Sequence, residues 1–152
     1  MVKKQICMYV FDTNIFVAAL RSRRGASFLI LKAIRQGLIL GGVSQALFLE
    51  YAEVLKRDEN LQNFWTTSED VDVILGVLAD VFRPIQIYWK WRPQLSDPDD
   101  EMVLECAINA QAQAIVTFNV QDFLPAAKYF GIEVIRPGEL VHSLNLQEQV
   151  TE

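Results

Sequence analysis

Ile6-Cys7-Met8-Tyr9-Val10-Phe11, followed at once by Asp12-Thr13-Asn14, decides how the rest of the chain is read. The first part is apolar and partly β-branched, as expected of a strand buried on both faces. The polar triplet puts an acid directly at the carboxyl end of that strand. In open parallel sheets, sites form beyond that edge.

Working outward, the chain alternates between strand-like and helix-like segments. A helical pattern opens at Gly25, carries Phe28, Leu29, Leu31 and Ile34 on one face, and closes at Gly37. Leu38-Ile39-Leu40 reads as a second strand, ended by Gly41-Gly42. Ser44 is placed to cap a helix running to about Lys56, with Leu47, Phe48, Tyr51, Val54 and Leu55 as its apolar face. Thr67 and Asp70 suggest a capping box before the helix of Val71, Ile74, Leu75, Leu78 and Val81, which Pro84 stops. Ile85, Ile87, Trp89 and Trp91 alternate like a strand face. Asp97-Pro98-Asp99-Asp100-Glu101 makes a sharp acidic start to a helix through Ala112. Ala114–Phe118 is a strand, Asp122–Phe130 a short helix, Ile132–Ile135 a strand, and Pro137 begins a last helix. This order predicts an α/β fold with a central parallel sheet covered on both faces, a three-layer α/β/α domain over residues 1–143. Residues 144–152 are expected to form a loose tail.

Composition narrows the function classes. The chain has 152 residues, 51% of them hydrophobic and 22% charged, with a formal net charge of −5. That is a folded chain able to bury a core without staples, and not a basic nucleic-acid coat. The two cysteines, Cys7 and Cys106, stand far apart, and His142 is the one histidine, so no zinc-type cluster exists. Lys3 and Lys4 before the first apolar run imitate a signal peptide, but Asp12-Thr13-Asn14 breaks that run. No stretch approaches the roughly 20 apolar residues needed to span a membrane. The expectation is a cytoplasmic, reduced setting with no membrane partner.

The acids fall where a sheet-edge site needs them. Asp12 follows the first strand, and Asp122 follows the strand ending near Phe118, with Thr117 and Asn119 in the same turn. Asp100 sits in the first turn of the preceding helix, and Glu50 beside the apolar face of the helix capped by Ser44. Taken singly, each has an ordinary structural reading: Asp12 and Asp122 as helix caps, the Asp97–Glu101 group as complement to a helix dipole, Glu50 as a solvated residue. Taken together, they offer an oxygen-only set suited to one or two Mg²⁺ or Mn²⁺ ions.

Four ordered motifs carry a resemblance that runs from about Tyr9 to Leu140. They are Val10-Phe11-Asp12-Thr13-Asn14-Ile15-Phe16, then Ser44 with Glu50, then Asp99-Asp100-Glu101-Met102-Val103-Leu104-Glu105-Cys106-Ala107, and finally Thr117-Phe118-Asn119-Val120-Gln121-Asp122-Phe123. With these the chain resembles the PIN-domain family of VapC-like ribonucleases, and its Asp-Pro-Asp-Asp-Glu turn resembles the toxin–antitoxin branch. The resemblance implies a metal-binding and catalytic quartet of Asp12, Glu50, Asp100 and Asp122, with Asp97 or Asp99 as alternatives to Asp100. It implies that Asn14, Thr117 and Asn119 orient ligands or water behind the quartet. Asn119 stands where many relatives carry aspartate, which would loosen a second metal. The implied activity is endonucleolytic cleavage of single-stranded RNA without a protein nucleophile. The implied partners are an antitoxin protein and a second copy of the chain in a homodimer.

Two rival functions and two basic segments complete the reading. A catalytically silent PIN fold that binds RNA or protein is the main rival. A phosphohydrolase of the haloacid-dehalogenase type would want a second acid two residues after the first, and Asn14 stands there. Arg21, Arg23 and Arg24 read either as a phosphate grip at the mouth of the acidic cleft or as a solvated loop. Trp89-Lys90-Trp91-Arg92 interleaves aromatic and basic residues that suit base stacking, with core or dimer packing as the favoured account.

Overall fold

A computed structural model describes residues 7–90 and 92–152. Five parallel strands form one sheet in the order β3-β2-β1-β4-β5: β1 Met8–Phe11, β2 Leu40–Val43, β3 Arg83–Pro84, β4 Ala114–Val116 and β5 Glu133–Ile135. The helices are α1 Thr13–Arg21, α2 Ala26–Arg35, α3 Gln45–Leu55, α4 Asp58–Leu61, α5 Ser68–Val81, α6 Pro98–Ala110, α7 Val120–Tyr129, α8 Pro137–Ser143 and α9 Leu146–Gln149. The expected architecture of a parallel sheet flanked by helices is therefore present. Strand order reverses between β1 and β4, which makes their carboxyl ends the topological switch point of the sheet.

The core explains why that switch point is held firmly. All four residues of β1 are buried, as an all-apolar central strand requires. Phe11 stacks on Phe82 at 5.9 Å, and Phe16 meets Tyr51 edge-on at 4.9 Å. The buried Tyr51 hydroxyl donates to the Phe11 carbonyl, so α3 is pinned to the last residue of β1. A polar group buried this deeply has to find such a partner.

Several elements differ from the sequence reading, each for a local reason. The second strand lies over Leu40–Val43, so Gly41 and Gly42 sit inside it and do not end it. A Cβ on Gly41 would run into the Phe82 ring, and one on Gly42 would come within 2.7 Å of the Met8 sulfur. These glycines are close-approach positions in a packed strand. Gly37 does close α2, at φ 76°, with Gly37 and Leu38 amides donating to the Ile34 and Ala33 carbonyls.

The strand expected through Ile85, Ile87, Trp89 and Trp91 shrinks to Arg83–Pro84, and Trp91 lies outside the described residues. Beyond Ile85 the backbone finds a side chain instead of a neighbouring strand. Asn109 Oδ1 accepts from the Tyr88 and Trp89 amides at 2.8 and 3.0 Å. Trp89 is 60% exposed, so core packing does not account for it. The expected loose tail is also docked: Leu146 of α9 is buried, and Gln36 exchanges two hydrogen bonds with the Thr151 backbone.

Candidate functional site

Asp12 directly follows β1 and stands at the switch point. Its backbone N–H donates to the Val116 carbonyl at 3.0 Å, which continues the β1–β4 ladder one residue beyond the strands. Its φ and ψ, −67° and 147°, are those of an N-cap, yet its side chain makes no capping hydrogen bond. Oδ2 instead accepts from the Thr117 hydroxyl at 2.7 Å. Thr117 is fully buried, and its Oγ1 in turn accepts from the Asn119 amide at 3.0 Å. Two loops that leave adjacent strands are thus tied together through one hydroxyl. Capping is not what holds the Asp12 side chain.

Burial pushes the Asp12 carboxyl above its ordinary range; the Thr117 hydroxyl and the Thr13 and Asn14 amides pull against that, and Asp97 adds to it. The stronger effect falls on Asp100. Burial together with the charges of Asp12, Asp97, Asp122 and Asp99 raises its carboxyl to about 7. Asp12, Asp100 and Asp122, which come from the ends of β1 and the first turns of α6 and α7, therefore share one electrostatic neighbourhood. Glu50 on α3 is half-buried and raised, by burial first and then by Asp99 and Glu53, with Arg57 opposing. Asp99 links it to the same acidic region.

The acidic turn at the head of α6 divides its labour. Asp97 is the N-cap, accepting from the Asp99 amide at 2.9 Å, a role the sequence reading had offered for Asp12 and Asp122 and not for Asp97. Glu101 turns the other way and is buried, accepting from the Gln94 and Leu95 amides at 2.6 and 2.8 Å. Glu105, also buried, holds Arg92 through two hydrogen bonds of 2.9 and 3.2 Å. The sequence reading assigned neither role. Their spacing by four residues, with Asn109 four further on, was the available signal, since it puts all three side chains on one face of α6. Asp122 is exposed in the first turn of α7, and Asn119 occupies the cap position, so Asp122 is not the cap.

Asn14 Oδ1 is buried and has no hydrogen-bond partner among the described residues. An orphaned acceptor beside a repelling set of carboxylates fits a hard divalent cation, whose ligands are oxygens. Among the described residues, no three acids are drawn together as a ready-made cage. An ion like Mg²⁺ keeps several waters and takes only one or two carboxylates directly.

Arg21 ends α1, Arg23 and Arg24 lie in the link to α2, and the group is only partly available. Arg21 donates to Asn60 Oδ1 at 3.4 Å, and Arg23 lies over the Trp65 ring at 4.3 Å. Arg23 and Arg24 line a cavity of about 410 Å³ with Lys32 and His142. That places Arg23 and Arg24 against α2, α8 and α9.

Comparison with known proteins bears on the family and the fold. The family model described as PIN domain matches residues 8–121. That span contains β1 through the first residues of α7 and three of the four acids, Asp12, Glu50 and Asp100, while Asp122 is the residue just beyond its end. No curated protein matches the sequence. Among solved structures, a chain from the crystal structure of VapBC2 from Rickettsia felis, bound to a DNA fragment from their promoter, superposes with a TM-score of 0.55. It is 15% identical, and the match covers 85% of this chain and 98% of that one. At that identity the likeness is one of fold.

Proposed function

The chain belongs to the PIN-domain family, and from that premise we propose that it is a metal-dependent endoribonuclease acting on single-stranded RNA. The observation that carries the proposal is the carboxylate neighbourhood at the β1–β4 switch point. It contains a buried acid fixed by a buried hydroxyl and a second acid whose carboxyl is raised to about 7 by burial first and then by like charges. Clustered negative charge of this kind costs stability unless a cation offsets it.

Asp12, Glu50, Asp100 and Asp122 would together hold the Mg²⁺ or Mn²⁺. One or two such ions supply charge neutralisation at the phosphodiester and lower the pKa of water. The protein's own contribution is placement. Thr117 keeps Asp12 in one rotamer and favours its charged form. Asn14 Oδ1 offers an acceptor to a water or ion beside Asp12, and Asn119 lines the same turn. Asp100 can take up a proton near neutral pH when no cation is present and release it when one binds. In-line attack by water requires no protein nucleophile, and the buried Cys106 thiol is unsuited to that role because burial pushes it up to about 12.

The likeness to a VapBC2 chain motivates the narrower reading, a toxin with an antitoxin partner and a homodimeric form. The rival is a catalytically silent PIN fold, favoured by the absence of three tightly gathered acids among the described residues. End-labelled single-stranded RNA incubated with Mn²⁺ separates the two. Internal cleavage by the native protein, lost in Asp12→Asn, supports the enzyme; a folded, monodisperse protein that binds RNA but never cuts it supports the rival. No helix among the described residues is long and apolar enough to cross a membrane.

A further inference from the structure

A groove that reaches Phe118, the chain neighbour of Thr117, is not used by the proposed chemistry. It has a volume of about 450 Å³ and is lined by Ala18, the first turn of α2 (Gly25, Ala26, Ser27), Phe118, Arg136 and the start of α8. Three features of it point to one kind of occupant.

The first is α2 itself. Gly25 occupies the cap position and has no side chain to offer, so the leading amides of this ten-residue helix have no side-chain cap. Uncapped amides and the positive end of a helix dipole favour a phosphate. The second is Ser27, which is 97% buried, since only 3% of its surface is exposed, and lines the groove. Its hydroxyl has no hydrogen-bond partner among the described residues. A buried hydroxyl left without a partner costs stability, and a ligand oxygen would remove that cost. The third is the pair at the rim. The exposed Arg136 guanidinium donates through Nη1 to the Phe118 carbonyl at 3.0 Å, which fixes it over the groove with other N–H groups free to point elsewhere. Phe118 itself is 39% exposed, an apolar face without full cover.

Phe118 stands between Thr117, which bonds Asp12, and Asn119, so the groove begins one residue from the acidic site. The walls are mostly small or apolar: Ala18, Ala26, Pro137 and Phe118. Glu139, the one acid of the lining, has its carboxylate occupied by the Arg136 amide at 3.3 Å. We propose that this groove binds one nucleotide of the RNA next to the scissile phosphate. Its phosphate would lie at the α2 N-terminus on Ser27 and Arg136, and its base would lie against Phe118. Gly25, Ala26 and Gly138 are shared with the cavity of Arg23, Arg24, Lys32 and His142, so the strand continues from the groove into basic surroundings. The inference rests on the ribonuclease reading and gives it a substrate track.

The test uses the native protein without divalent metal, titrated with adenosine 5′-monophosphate, with inorganic phosphate and with adenosine while backbone amide shifts are followed by NMR. The expected result is movement at Ala26, Ser27 and Phe118 with the monophosphate, and at least fivefold weaker binding of phosphate or nucleoside alone. Ser27→Ala should weaken monophosphate binding several-fold with no loss of thermal stability, because it removes an unpartnered group. Arg136→Ala should weaken it further. Equal affinity for phosphate and monophosphate, no shift in the first turn of α2, or full binding by Ser27→Ala overturns the proposal. The same titration on Asp12→Asn keeps the two readings apart. Binding there, with no RNA cleavage by the native protein, removes the nuclease reading and leaves the groove. Cleavage without groove binding does the reverse.

Discussion

The Thr117 hydroxyl donates a 2.7 Å hydrogen bond to the Asp12 carboxylate across 105 positions of sequence, joining the loops that leave β1 and β4. Both residues are buried, so the bond is shielded from water and worth more than a surface contact. Thr117→Val keeps the shape and deletes the donor. Asp12 should then titrate at a still higher pH, since the largest opponent of its burial is gone. Mn²⁺ affinity should fall by about 10- to 100-fold, the usual cost of losing a group that orients a ligand. Carboxyl-carbon NMR and calorimetry check the two halves; an unmoved Asp12 titration contradicts the assignment.

Asp100 gives the pH dependence. Its folded-state carboxyl is raised from 3.8 to about 7, so within that window the folded protein holds a proton that the unfolded chain has released. Stability from this group is therefore present at acid pH and lost as pH rises through the window. Metal-free Asp100→Asn should gain stability over the native protein progressively between those limits, and saturating Mn²⁺ should reverse the difference in favour of the native protein. Urea unfolding in chelator at a series of pH values measures it. A gap that stays constant with pH would mean that Asp100 feels no such field.

Glu101 separates structural from functional acids in the same turn. It satisfies the Gln94 and Leu95 amides and is buried, whereas Asp100 faces the other carboxylates. Glu101→Ala should cost about 1–3 kcal/mol through unsatisfied backbone donors. Mn²⁺ binding by the fraction that remains folded should be unchanged. Calorimetric melting together with metal titration shows both, and a selective loss of metal binding would move Glu101 into the site.

Gly41 lies behind the site, with its Cα directed at Phe82, which stacks on Phe11 immediately before Asp12. Gly41→Ala should destabilise by about 1–3 kcal/mol through overpacking. The lowered melting temperature should come with reduced cleavage, because the displaced ring bears on β1. An unchanged melting temperature would show that Phe82 moves aside freely.

Much of this was readable from the chain, and what was not has physical causes. Buried strands such as β1 announce themselves through continuous apolar runs. Ser44 and Thr67 announce helix starts, and each accepts from the amide three residues on. β2 was misplaced because Gly41 and Gly42 look like punctuation in sequence, and only the Phe82 ring across the sheet explains them. The length of β3 depends on Asn109, a side chain on α6 that replaces a strand partner and leaves no local trace near Ile85. The site followed the same pattern. Asp12 was legible from its strand, while the split of the acidic turn into cap, charge cluster and loop anchor needed the direction in which each side chain leaves α6. Ser27 carried no signal, since a small polar residue in a first helical turn is ordinary.

The most direct measurement is Mn²⁺ binding by calorimetry on the native protein and on Asp12→Asn, with far-ultraviolet dichroism to show that both are folded. Saturable binding by the native protein that disappears in the variant is the expected result. Equal binding by both, or none by the folded native protein with or without single-stranded RNA present, contradicts a metal site built on Asp12.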